Sequence, residues 1–284
     1  MPKARELDTS EIASAVSHLV QEANFELPDD IVKALKKALD VEESPLGRDA
    51  LETMLENAMI AAGDTVPLCQ DTGVTVVFIE LGQGVLLTGE PLEAAVNAGV
   101  RSGCEEGFLR KSVVAEPLHE RINTGDNTPA VIHLESAPGD KVKITVFVKG
   151  GGSETAGAAK VIRPAEGLAA VKEFILEQAE LFGPNACPPV IVGVGVGGTL
   201  DKAAELAKKA LLKPLDEVNP DERLAALEEE LKLEINKMGF GPAGTGGRVS
   251  CLGVRILTHP SHIATIPVAV DISCYALRRK SVTL

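Results

Sequence analysis

Near residue 70 the chain changes its period, and that change limits the fold more than any other feature. The first sixty residues carry apolar side chains at helical spacing. "TSEIASAVSHLVQEANF" opens on the cap candidates Thr9 and Ser10, and "LPDDIVKALKKALD" repeats the pattern. "SPLGRDALETMLENAMIAAG" begins with Ser44 as cap and Pro45 at the first helical position, and ends at Gly63. Beyond it, short β-branched runs alternate with helices. "VTVVFIEL" (74–81), "PAVIHLES" (129–136), "KVKITVFVK" (141–149), "PPVIVGVGV", "RVSCLGVRIL" and "TIPVAVDIS" read as strands. "PLEAAVNAGVRSGCEEG", "AEGLAAVKEFILEQAELFG", "TLDKAAELAKKALLK" and "DERLAALEEELKLEINKMG" read as helices, and Ser153 with Glu154 as a cap for one in "TAGAAKVI". The pattern predicts an α/β fold in which a helical N-terminal lead-in, about 1–64, is followed by mixed β-sheets covered by helices. With no internal repeat and no low-complexity linker, 1–284 reads as one domain.

Composition narrows the class. Hydrophobic residues make up 45%, yet there is no Trp, one Tyr and seven Phe, so the interior must be built from Val, Ile, Leu and Ala. That favours layered α/β packing over an aromatic-rich sandwich. A formal net charge of −13, without a Lys/Arg cluster, excludes nucleic acid as main partner, since such binding draws on neutralised phosphates. No apolar run reaches the roughly 20 residues of a membrane span. The start "MPKARELDTSEIASAV" lacks the apolar stretch of a secretory signal, which predicts a cytoplasmic protein.

Three glycine-rich loops, "KGGGSE" (149–154), "GVGVGG" (193–198) and "GFGPAGTGG" (239–247), flank regular elements. Gly193, Gly195 and Gly198 satisfy the dinucleotide fingerprint G-x-G-x-x-G after a strand and before a helix. A second strand ending in an acid some 20 residues on is required as well. "KKALLKPLDEVNPDERL" has the acids Asp216 and Glu217 but no strand, so glycines that let a helix lie close on a strand explain the motif better. Loops whose backbone N–H groups bind carboxylates are a third reading.

Five cysteines, without a close C-x-x-C pair, argue against a disulfide framework. Cys104 and Cys251 fall inside a helical and a strand pattern, as packing thiols do. Cys69 lies in "PLCQDTG", Cys187 in "PNACPP" before a strand, and Cys274 in "DISCYALRR" at the end of one. Strand ends are where α/β proteins place active sites. Three such thiols either ligate three irons of a [4Fe–4S] cluster, leaving one iron open as a Lewis acid, or are unrelated.

"PLCQDTG", "GFLRKS", "KGGGSE", "NACPP", "GVGVGGTLDKAA", "GFGPAGTGG" and "HPSHIATIPVAVDISC", in that order, resemble the alpha subunits of two-subunit class I fumarate hydratases and L-tartrate dehydratases. The resemblance runs from about residue 10 to the end. It implies a [4Fe–4S] cluster on Cys69, Cys187 and Cys274 whose free iron binds the substrate hydroxyl and a carboxylate. It further implies substrate contacts from Gln70, Asp71, Arg110, Gly151 and His262, with Asp71 and His262 as catalytic candidates. A separate beta subunit completing the site is implied, as is an α–α dimer within a heterotetramer. The substrate would be a dicarboxylate: fumarate, hydrated to L-malate as in the tricarboxylic acid cycle, or alternatively tartrate. Rivals outside the family are a nucleotide-binding module on "GVGVGG" and a redox or regulatory cluster carrier.

Each candidate also has an ordinary reading. Asp71 before Thr72 and Gly73 suits a turn, Arg110 and Lys111 suit a solvated helix end, and His259 and His262 suit strand ends or a surface metal.

Overall fold

The computed structural model describes residues 4–284. The chain begins with β1 (Arg5–Asp8), α1 (Thr9–Phe25), α2 (Asp29–Val41) and α3 (Pro45–Asp64), followed by β2 (Val74–Gly82), β3 (Val85–Thr88) and α4 (Leu92–Glu106). Next come β4 (Val131–Ala137), β5 (Val142–Lys149), the short α5 (Gly151–Glu154), β6 (Ala158–Ile162) and α6 (Gly167–Phe182). The last part holds β7 (Val190–Gly197), α7 (Leu200–Ala210), α8 (Glu222–Lys237), β8 (Cys251–His259), β9 (Ile266–Ser273) and β10 (Arg278–Thr283). The α/β expectation is borne out.

The described residues form two compact units, each assembled from separate stretches: 4–28, 58–151 and 278–284 in the first, and 29–57 with 152–277 in the second. The helical lead-in is therefore shared, α1 going to the first unit and α2 to the second.

In the first unit a sheet runs in the order β10–β5–β2–β4, beside a small parallel pair of β1 and β3. In the second the order is β6–β9–β7–β8. The two sheets share one plan, a repeat not visible in the sequence. The strand entered first (β2 or β7) pairs parallel with the second (β4 or β8) and antiparallel with the third (β5 or β9). The third carries an antiparallel outer strand, β10 or β6. These outer strands are exchanged in sequence. β6 follows β5 yet pairs with β9, and β10 follows β9 yet pairs with β5.

In the first unit α1 and α4 cover one sheet face, sealing Ile12, Val16, Val20, Val77, Ile79, Val96, Val100, Ile144 and Val146. Small residues let the two helices touch: a Cβ on Gly99 would stand 2.4 Å from the Ala13 carbonyl oxygen, and one on Gly103 2.6 Å from that of Ser17. In the second unit Val190, Val192 and Val194 of β7 share a core with Phe174 and Ile175 of α6 and Leu231 and Ile235 of α8. The alternate residues Gly193 and Gly195 lie under α7, where a Cβ would come within 2.2 Å of the Ala207 oxygen and 2.0 Å of the Ala203 oxygen. The period of two in a strand puts valines on one face and glycines on the other. "GVGVGG" is thus the imprint of a helix packed on a strand.

Three expectations are corrected. The α1 cap is Asp8, whose carboxylate accepts from Ser10 N, rather than Thr9 or Ser10. "TAGAAKVI" is not a helix, because its second half is β6, held by the register Ala158↔Val270 to Ile162↔Ile266. The chain ends on a further strand, β10, beyond the two expected there. Ser44 does cap α3, its hydroxyl accepting from Gly47 N at 3.3 Å. Among the described residues no helix is long and apolar enough to cross a membrane.

Candidate active site

In each sheet, taken by itself, the loops that carry the candidate residues other than His262 lie at the corresponding end of the strand plan. Val74, the first residue of β2, pairs with Lys149, the last of β5; Ile191 of β7 pairs with Ser273, the last of β9. The loop entering the first strand and the loop leaving the third therefore lie side by side in each unit.

In the first unit these loops are "PLCQDTG" and Gly150–Gly151, and between them lies the Asp71 carboxylate. Its Oδ1 accepts from Gly73 N at 3.1 Å, the Ser112 hydroxyl at 3.2 Å and Arg110 Nη2 at 3.4 Å. Its Oδ2 accepts from Gly151 N at 2.8 Å. Gly73 has φ +79°, and a Cβ there would fall 2.0 Å from the Lys149 oxygen, so only glycine lets the two loops meet. Cys69 and Asp71 are half-buried, whereas Gln70 and Arg110 face solvent. Asp71 N donates to Cys69 Sγ at 3.4 Å.

Three supporting residues carry no sequence signal of their own. Buried Arg278 donates through Nη1 to the Asp71 carbonyl at 2.8 Å and to Asn24 Oδ1 at 2.9 Å, fixing the loop from below. Fully buried Asn127, in the left-handed region at φ +60°, accepts from Ser112 N at 2.6 Å and donates to the Arg110 carbonyl at 2.9 Å. It sets the segment that offers Arg110 and Ser112 to Asp71. Ser112 stands in the quoted "FLRKS", but only the fold shows its reach.

In the second unit the corresponding loops carry thiols. Cys187 is exposed just before β7, at φ +52°, and Cys274 is half-buried just after β9. The Cys187 carbonyl accepts from Tyr275 N at 3.4 Å, which joins the two loops. Cys104 and Cys251 differ in kind. Each is at most 1% exposed, and burial pushes their thiols up, that of Cys251 to about 12. A thiol sealed in the core is a poor metal ligand, whereas the three loop thiols stand outside the core at strand ends and carry the sulfur donor that iron prefers. Cys69 Sγ, which accepts from Asp71 N, also meets Gln70 Oε1 at 3.4 Å. The donor chemistry thus fits an iron–sulfur group. Among the described residues no three of His, Cys, Asp and Glu form a group that could hold a metal ion.

A family described as fumarate hydratase (Fumerase) matches residues 13–283. The chain belongs to this family. It is 38% identical over 273 residues to the putative L(+)-tartrate dehydratase subunit alpha of Methanocaldococcus jannaschii, covering 94% of this chain and 95% of that protein. It is 35% identical over 274 residues to the L(+)-tartrate dehydratase subunit alpha of Escherichia coli strain K12, covering 95% of this chain and 89% of that one. The resemblance read from the motifs is borne out, and a fumarate hydratase family member is a hydro-lyase.

His262 stands apart from the other candidates of its own unit. It lies in the segment between β8 and β9, and His259, the last residue of β8, pairs with Gly197, the last of β7. Cys187 and Cys274 lie at the opposite end of β7, about 25 Å away at the rise of a β-strand. His262 is exposed, and its Nδ1 accepts from Ala264 N at 3.1 Å, so the neutral ring carries its proton on Nε2. Its neighbour Ile263 is 91% exposed.

Proposed function

We propose that this chain is the alpha subunit of a two-subunit iron–sulfur hydro-lyase that hydrates fumarate to L-malate and reverses the reaction. Cys69, Cys187 and Cys274 hold a [4Fe–4S] cluster. When bound, that cluster supplies an electrophile for the substrate hydroxyl, a poor leaving group by itself. The observation that carries the reading is the Asp71 carboxylate, set beside the Cys69 thiol by donors on both of its oxygens.

The chain's own residues divide the remaining work. Asp71, with both oxygens engaged, cannot turn freely and presents a fixed acceptor to a reacting hydroxyl. Arg110 gives Asp71 one long contact and keeps 59% of its side chain exposed, which leaves its planar fork for a substrate carboxylate. Gln70 offers an amide and Gly151 a backbone approach from the facing loop. Fixed positive charge on a carboxylate stabilises the carbanion-like dianion that forms as the C–H proton leaves.

A dicarboxylate has two charged ends, and further cations come from a beta subunit, as the "subunit alpha" names of the relatives support. His262 acts on the substrate of a second alpha chain. The support is its place at the far end of β7 from Cys187 and Cys274 of its own unit, and the α–α dimer of a heterotetramer supplies that copy. The protein is cytoplasmic. A second reading, L-tartrate dehydration, is favoured by the names of both relatives. Anaerobic co-expression with the beta subunit, cluster reconstitution and side-by-side assay on malate, fumarate and tartrate test both. Turnover of tartrate alone selects the second reading, and turnover of none rejects the proposal.

A further inference from the structure

In the second unit a buried carboxylate serves none of the roles above. Glu42, at the end of α2, is 3% exposed. Its Oε1 accepts from Glu43 N, Ser44 N and Arg248 N, each at 2.9 Å, and its Oε2 from Arg248 N at 2.9 Å and Val249 N at 2.8 Å. No cation is among these partners. Burial pushes this carboxyl up, but the four backbone donors together outweigh it and hold the group below its usual range. Glycines clear the space: a Cβ on Gly247 would stand 2.7 Å from Glu42 Oε1, and one on Gly47 3.0 Å from its Cγ.

What Glu42 grips is the end of the loop "GFGPAGTGG", and that loop grips the Cys187 segment. Ala243 N donates to the Pro188 carbonyl at 2.8 Å, and Val190 N donates to the Ser250 carbonyl at 2.8 Å. The Phe240 ring fills the place of a side chain at Gly183, where a Cβ would lie 2.8 Å away. Cys187 and Ala243 are both non-glycine residues at positive φ, +52° and +53°. Such conformations persist only where their surroundings hold them.

We propose that Glu42 is the positioning residue for Cys187, acting through the 239–250 loop to keep the thiol in its left-handed conformation. Its functional meaning rests on Cys187 being an iron ligand; the mechanical link does not. Two variants perturb the latch independently. Glu42→Gln keeps the size but turns an amide NH2 toward backbone N–H donors. Gly47→Ala adds a Cβ 3.0 Å from Glu42 Cγ and 3.2 Å from Pro242 Cδ, at a helical position where alanine is otherwise favoured.

Amide hydrogen exchange of the full apo chain, read by peptide mass spectrometry, tests the link. At least tenfold faster exchange is expected over 183–190 and 239–249 in both variants, with 69–74 and the β7 core unchanged. Cys187 alkylation should change relative to Cys274. Loosening that stops at 247–249, or that spreads evenly through the unit, overturns the proposal. Iron content after anaerobic reconstitution is measured in parallel on the wild type. Failure of wild-type protein to take up iron refutes the cluster reading while leaving the exchange contrast to decide the latch.

Discussion

The two sheets have one strand plan and place different chemistry at the same end. In the first unit the end is organised by hydrogen bonds to a charge: Asp71 is caught by donors from its own loop, from the 110–112 segment and from Gly151. In the second it is organised through the backbone, with Cys187 held at positive φ and joined to the Cys274 loop through Tyr275. The difference follows from the groups presented. A carboxylate collects strong donors and is fixed by them. A thiol is a weaker donor and acceptor than a carboxylate, so the main chain has the larger share in directing it. Topology fixes where the loops meet, and loop residues decide what meets there.

The sharpest break of this comparison is at the thiols. Ser in place of Cys69, Cys187 or Cys274 is expected to abolish the iron–sulfur chromophore of anaerobically prepared protein, because a hydroxyl replaces thiolate poorly. Cys104→Ser and Cys251→Ser should retain it, at the cost of some stability. Visible absorption and iron content decide; loss of the chromophore in Cys104→Ser with retention in Cys274→Ser would dissolve the equivalence of the two sheet ends.

At the carboxylate end, Asp71→Asn puts an amide nitrogen where either Gly151 N–H or the Gly73, Ser112 and Arg110 donors now point. Turnover of the alpha–beta complex should fall by about a thousandfold, the scale for removing a preorganised polar group. Arg110→Lys loses the two parallel hydrogen bonds of a guanidinium and should cost about tenfold to a hundredfold. Asn127→Ala, which touches no substrate, should lower kcat through loosened Arg110 and Ser112. The kinetic split between kcat and KM checks it.

Glycine is used differently in the two units, and its replacement should separate them. Gly195→Ala forces a Cβ into the α7 backbone, with no flexible group to yield, and is expected to destabilise by about 3 kcal/mol or more. Gly99→Ala meets the α1 carbonyl of Ala13 but regains about 0.5–1 kcal/mol of helix propensity, so the net loss should be smaller. Urea midpoints of the two variants measure the order.

The central strands and long helices were legible because each has its own periodicity: 74–81 and 141–149 match β2 and β5 within a residue or two. The sorting of cysteines also stood in local context, since Cys104 and Cys251 sit on buried faces of α4 and β8. The outer strands were not legible. β6, "AAKVI", and β10, "RRKSVT", have weak or charged patterns and become strands only because β9 and β5 offer them partners. The same limit hid Ser112, Asn127 and Arg278, whose roles depend on contacts 15 to 254 positions away. The shared plan of the two sheets is a property of pairing order and leaves no repeated residues to see.

The smallest expected effect concerns two stabilising carboxylates, one in each unit. Asp126 is held well below its ordinary 3.8 by Arg101 and Thr128, while Glu42 is held below its ordinary 4.5 because backbone N–H groups outweigh its burial. A depressed folded pKa means that the unfolded chain binds the proton more readily. Each contribution is therefore complete above the ordinary value and is lost as pH falls below it toward the folded one. Acidification should first cost the Glu42 contribution, below about pH 4.5, and then that of Asp126. Salt separates them. The Arg101–Asp126 pair, with Arg101 half exposed, is screened and worth little. The Glu42 carboxylate is held by neutral backbone donors, while the Arg48 guanidinium reaches its main-chain carbonyl at 3.3 Å, so salt has little to screen. Thermal unfolding between pH 3 and 6 at low and high ionic strength should show a small salt-sensitive part, removed by Arg101→Gln, and a salt-insensitive part, removed by Glu42→Gln. If salt erased both parts equally, the second carboxylate would be held by charge like the first, and the contrast between the units would fail at this point.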